Sequence, residues 1–210
     1  MNLLSRASNA WRALRGAERK YDSLDLWREI HGGRETSSGK SVTVATALDV
    51  ATVLACARVI ADGIAQVPLK LFQESADGKS RVPAKDHRSY AMLSKRPNEW
   101  QTSYRYRETM GLHLALCGNH FAFKNIVRGA VVELIPFEPG QVTVKRSDDY
   151  ALKYEVRAPN GKVQEFPASL IWHVRGPSWN SWMGLESVQL ARQAIGLSMA
   201  IEEGQAKIFE

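Results

Sequence analysis

The stretch MLSKRPNEWQTSYRYRETMGLHLALCGNHFAFKNIV, from Met92 to Val127, carries the densest local signals in the chain and decides how the rest is read. Pro97 clashes with a helical conformation at Arg96, so a helix through Tyr90 and Leu93 must stop there, and Asn98 favours the turn that follows. Thr102 or Ser103 then offers a hydroxyl to the first unpaired N–H groups of a new helix, whose Met110, Leu114 and Cys117 share one face. Gly118 and Asn119 supply a left-handed exit, because these residue types best tolerate positive φ. Past that exit the period changes to two, with Phe121 and Phe123 on one side and His120, Ala122 and Lys124 on the other. The unit is a helix end, a helix, a cap and a strand.

Downstream, Arg128-Gly129 is a tight connection into the β-branched run Val131 to Ile135, which predicts a hairpin closed by Pro136 and Pro139-Gly140. Alternation recurs over Gln141 to Arg146, Leu152 to Arg157 and Lys162 to Phe166, with the turn Pro159-Asn160-Gly161 between the last two. Ser169 to Arg175 adds a further short strand. An aromatic loop with Trp179 and Trp182 then leads through Gly184 to a long helix lined by Val188, Ala191, Ile195 and Met199, with no C-cap signal before Glu210. Upstream, the spacing of Val50, Val53, Leu54, Ala57, Ile60, Ala61 and Ile64 predicts one helix over Ala45 to Gln66, ended by Pro68. Pro68 to Phe72 alternates like a strand, Asp77-Gly78 is a turn, a second strand follows near Arg81 to Pro83, and Asp86 is placed to cap the short helix through Tyr90. The opening sixteen residues put Leu3, Leu4, Ala7, Trp11 and Leu14 on one stripe flanked by arginines, a basic amphipathic arm. A polar linker to Lys40, with a short helix over Ser23 to Ile30, joins it to a folded region expected from Ser41.

A chain of 210 residues with 44% hydrophobic content can fill an ordinary globular core, and its net charge of +6 is compatible with an acidic partner without demanding one. Its two cysteines, Cys56 and Cys117, fall in apolar helical patterns and imply no disulfide framework. No uninterrupted apolar run approaches the roughly 20 residues that span a bilayer.

Three chemical readings fail, two on spacing and one on surroundings. GRETSSGKS, Gly33 to Ser41, ends like a phosphate-binding loop, but Arg34 occupies the required glycine position and no β-branched strand precedes it. His113, Cys117 and His120 are ligand types for zinc, yet a turn at Gly118-Asn119 separates them and no fourth ligand is nearby. Asp148-Asp149 reads as a solvated turn, since nothing apolar surrounds it to raise a carboxyl pKa. No cofactor and no catalytic constellation is expected.

The order of the pieces is more specific than any one of them. These are ATALDVATVLACARVIADGIAQVPLKLF at 45–72, DHRSYAMLSKRPNEW ending in Arg96-Pro97-Asn98, the helix end Leu116-Cys117-Gly118-Asn119, VVELIPFEPGQVTV, FPASLIWHVRG, and GLESVQLARQAIGLSMAIEEGQAKIF. Together they resemble the amino-terminal half of a tailed-bacteriophage portal protein, from about Ser41 onward. Two departures stand out: Glu186-Ser187 replaces the Ser-Pro usual at that helix start, and the sequence ends at Glu210, about the Phe209 position where the family continues into a second half.

The resemblance implies an α+β fold, an antiparallel sheet with packed helices forming a portal wing over 41–177. A loop and first stem helix would occupy 178–210, after an arm and linker at 1–40. It implies a structural role rather than catalysis: a ring, dodecameric in the family, at one capsid vertex, through which DNA is packaged and ejected. Partners would be further copies of the chain, the major capsid protein, the terminase large subunit, a head–tail connector and double-stranded DNA passing non-specifically, with no membrane. Arg96, Pro97, Asn98, Gly118, Asn119 and Gly184 would be architectural motif residues, and Trp179, Trp182 and Met183 candidate subunit contacts. The alternative is a basic nucleic-acid-binding module using the arm and the Lys/Arg-rich strands, which would grip DNA with a steep salt dependence.

Overall fold

Short connections set the topology of the strands. Arg128 and Gly129, at φ 51° and 79°, form a two-residue turn with both residues left-handed, the geometry whose twist matches a hairpin. It joins β3 (Asn119–Val127) to β4 (Ala130–Pro136). Gly161, at φ 79°, turns β6 (Leu152–Arg157) into β7 (Val163–Pro167), and β5 (Val142–Arg146) pairs with β6 on the other side. The computed structural model, which describes residues 36–75 and 77–208, thus contains two three-stranded antiparallel sheets. One has the order β5-β6-β7; the other has the order β4-β3-β8, where β8 (Ile171–Arg175) returns to pair with the first half of β3 after a 3₁₀ turn at Ala168–Leu170. A small hairpin of β1 (Phe72–Glu74) and β2 (Arg81–Pro83) lies apart.

The alternation in β3 buries both of its faces. Phe123 packs with Ile135, Phe137, Tyr154, Val156, Phe166, Leu170 and Ile171 in a core between the two sheets. Ala122, one residue away and so on the opposite face, joins Met92, Tyr106 and Leu134 under the helices. Those helices are α3 (Tyr90–Ser94) and α4 (Ser103–Cys117). Thr102 caps α4 by accepting a hydrogen bond from the Arg105 N–H, and Gly118, at φ 68°, ends it. A third core brings Ala47, Val50, Ala57, Leu116, Val188 and Ile195 together from α1 (Val44–Leu48), α2 (Ala51–Gln66), α4 and α5 (Ser187–Ala206).

Three local expectations are corrected. The helix over Ala45 to Gln66 is broken: a capping box between Thr43 and Thr46 starts α1, and Val50 is extended before α2 begins. The break swings Val50 into the helical core, where it is 4% exposed. Pro68 to Leu71 stays outside the sheet, and the strand begins at Phe72. Asp86 does not cap α3; its N-cap is Ser89, whose hydroxyl instead donates to the Val131 carbonyl. The amphipathic stripe at Leu3 to Leu14 and the helix expected at Ser23 to Ile30 lie outside the described residues.

The Gly-Lys-Ser end of the false phosphate loop is a turn bound to α5. Thr36 packs on Gly196, Ser37 donates its backbone N–H and hydroxyl to Gln193, and Lys40 forms an ion pair with Glu203. Among the described residues no helix is long and apolar enough to cross a membrane.

Candidate functional site

The motif residues meet at two corners. At the first, the turn after α3 docks on the free edge of β4. The Pro97 carbonyl accepts from the Leu134 N–H at 2.8 Å, and the Asn98 amide donates to the Leu134 carbonyl at 3.0 Å. Asn98 also accepts from the N–H groups of Trp100 and Gln101, so one side chain makes the turn and fastens it to the sheet. Arg96 contributes backbone only; its side chain is exposed.

At the second corner, α4, β3, β8 and α5 converge, with the backbones at Gly118 and Gly184 in direct contact. A Cβ on Gly184 would lie 1.9 Å from the Gly118 carbonyl oxygen, and one on Gly118 would lie 2.0 Å from that of Leu185. Glycine at both places is therefore a packing requirement, and at Gly118 also a conformational one. Asn119 locks the joint: its side-chain oxygen accepts from the Gly184 N–H at 2.7 Å, and its amide donates to the Gly184 and Cys117 carbonyls at 3.1 and 3.0 Å. The same oxygen faces His173 Nε2 at 3.1 Å, so that nitrogen carries the proton and Nδ1 accepts from the Tyr154 hydroxyl.

Behind the joint lies a histidine pair. His113 and His120 bring their Nδ1 atoms to 3.1 Å, and His120 Nε2 meets the Tyr106 hydroxyl at 3.1 Å. One proton lies between the two Nδ1 atoms, which requires at least one of the rings to be neutral. Burial holds His113 down at about 4 and His120 well below the usual imidazole range, with the charges of His113 and His173 adding to the latter. Burial also lowers His173 to about 4, aided by Arg175. The Cys117 thiol is pushed up to about 12 by burial and then by the Glu186 carboxylate, so it is protonated and a poor metal ligand. Among the described residues no group of three or more His, Cys, Asp or Glu side chains converges on a metal-sized point.

The candidate contact residues separate. Trp182 lies with its ring centre 5.9 Å from the Arg146 guanidinium, and Met183 lines a cavity shared with Cys117, Phe137 and Val142. Trp179 is 91% exposed. Sequence reasoning missed Arg107, which is buried and donates from Nε and Nη2 to the Ala65 carbonyl at 3.0 and 2.8 Å, tying α4 to the end of α2. A lone basic residue in a helix rich in arginine gives no signal of that inward turn.

Residues 51–210, well over half the sequence, match the family model described as phage portal protein. The chain belongs to that family. Among curated members of similar sequence, the portal protein of Enterobacteria phage HK97 is 25% identical over 148 residues, covering 69% of this chain and 34% of that protein. Protein BeeE of Escherichia coli strain K12 is 32% identical over 108 residues, covering 51% of this chain and 64% of BeeE. The chain thus spans less than two thirds of the length of either relative. The fold resembles a chain in the neck of an empty gene transfer agent particle computed with C6 symmetry, with a TM-score of 0.62 and 20% identity over 90% of this chain and 47% of that one. A chain of the native gene transfer agent virion gives a TM-score of 0.57 and 18% identity over 90% of this chain and 46% of its own. Both motif corners are joints between elements, built from backbone hydrogen bonds and close glycine contacts.

Proposed function

We propose that the chain is a portal subunit that joins further copies of itself in a closed ring at a capsid vertex, where the ring is the passage for DNA during packaging and ejection. The observation that carries this reading is the portal family match across residues 51–210. Residues 41–177 would form the wing, and 178–210 the loop and first stem helix. The major capsid protein, the terminase large subunit and a head–tail connector would meet the ring, a structural assembly rather than an enzyme. Surface charge supports a passage rather than a grip. On the β5-β6-β7 sheet Lys145 pairs with Glu155 and Lys153 with Glu165, which limits the phosphates that these lysines can neutralise and the counterions that binding would release. Electron microscopy of the purified protein tests the reading. Closed rings with a central opening are expected; a single-copy species whose DNA affinity falls steeply with salt would replace it with the nucleic-acid-binding module.

A further inference from the structure

Two imidazoles bridge the bend between α4 and β3. His113 lies on α4 shortly before Gly118 and His120 on β3 shortly after it, and their Nδ1 atoms meet at 3.1 Å. His120 is wholly buried, its other nitrogen meets the Tyr106 hydroxyl, and Trp172 covers it edge-on. The same bend carries the joint to α5. Gly118 touches the backbone of Gly184 and Leu185, and Asn119, next to His120, holds both the N–H and the carbonyl of Gly184. Backbone contacts this close leave no slack, so a change in the angle between α4 and β3 is felt at the start of α5.

The bridge has room for a limited number of protons. Two neutral rings carry two, one of them between the Nδ1 atoms. A third can go to an outer Nε2 and leave that hydrogen bond intact. A fourth has only the second Nδ1, so two N–H groups point at each other across 3.1 Å and two cations share a buried site. The titratable groups around the pair do not offset this. They are Tyr106 and Cys117 of α4, His173 and Arg175 of β8, Tyr154 of β6, and Glu138 and Glu186 in the wall of a cavity beside His113. His113 and His173 disfavour charge on His120, Arg175 disfavours it on His173, and neither carboxylate counters the burial of His113 or His120.

We propose that the His113–His120 pair is a proton-operated latch: protonation of both rings parts α4 from β3 at the Gly118 bend and releases Gly184 and the start of α5 from Asn119, while both sheets stay folded. Above about pH 7 the open and closed forms hold the same protons, and the latch is shut. As the pH falls, imidazoles freed by opening take up protons near pH 6.5, whereas the closed pair resists down to about 4 at His113 and lower at His120. With two protons taken up, the opening constant rises by up to about a hundredfold per pH unit.

Hydrogen exchange of the whole chain, read by mass spectrometry between pH 7 and pH 5 and corrected for the intrinsic rate at each pH, tests the latch. The stretch 184–190 contains the N–H groups of Gly184, Leu185 and Leu190, bonded to Asn119, Pro177 and Glu186. Its exchange should speed up at least about tenfold over that range, with β6 and β7 unchanged. The double variant His113→Asn/His120→Asn should abolish the acceleration. The single variant His113→Asn, which keeps a hydrogen-bonding group near the Nδ1 position, should leave about half the slope of log rate against pH. No acceleration by pH 5 overturns the proposal. So does an equal acceleration in β6 and β7, which is unfolding of the whole domain, and so does a slope that both variants leave unchanged, which assigns the acid response to His173 or to carboxylates.

Discussion

The sheets and the helical layer of this molecule bury their apolar residues to very different extents. Between the sheets, Phe123, Ile135, Tyr154, Val156 and Phe166 are each at most 3% exposed, and large side chains meet large side chains. In α2 the buried residues are Ala57, Ala61 and Ala65, which let the helix press against Gly111 of α4, while Leu54, Val59 and Ile60 face outward. In α5 only Val188, Ile195 and Gly196 are buried. The sheets complete their core, whereas the helices leave larger apolar groups exposed among the described residues.

The contrast has measurable consequences. Phe166→Ala should cost about 3–5 kcal/mol in urea denaturation, because it removes a large ring from a core that cannot collapse onto the space. A smaller loss, on the order of 2–4 kcal/mol between pH 7 and pH 5, is expected from the two most buried histidines together. The sign follows from their depressed folded-state values. An unfolded imidazole takes its proton near pH 6.5, whereas folded His113 does so only near 4 and His120 lower still. Stability is therefore full above about pH 7 and falls as the pH drops toward 4. Solvent reaches His173 more readily, so its share is smaller. His120→Gln should flatten the slope of a denaturation series across this range; an unchanged slope would remove the histidine pair from the account.

Gly184→Ala should cost about 1–3 kcal/mol or more, since its Cβ would collide with a backbone carbonyl that cannot yield cheaply. The measurement is again a urea midpoint. The smallest effect belongs to the helical layer. Leu190, 70% exposed on α5, should change stability by less than about 0.5 kcal/mol when replaced by Ala in the single-copy protein. If Leu190→Ala cost as much as Phe166→Ala, the asymmetry between sheets and helices would be gone.

Features legible in the sequence were the local ones. Pro97, Thr102, Gly118 and the Arg128-Gly129 and Asn160-Gly161 turns each act through their own backbone, and the structure has a turn, cap or helix end at each. The break at Asp49-Val50 was hidden because the apolar spacing runs through it; its one sign was Thr43 and Thr46, three apart. The return of β8 to β3 and the closure of Asn119 onto Gly184 join residues far apart in the sequence, and no local pattern encodes such a meeting. The same limit applied to Trp179, Trp182 and Met183. Close together in sequence, they read as one patch, but Arg146 and a cavity wall claim two of them.

The Gly118–Gly184 joint has a consequence of leverage. Helix α5 spans 20 residues and starts three positions after Gly184, so its far end is about 30 Å from that fulcrum. A change of about 10° at the joint would carry the tip some 5 Å sideways, roughly the pitch of one helical turn. Two glycines and one asparagine therefore fix the direction of a 20-residue helix.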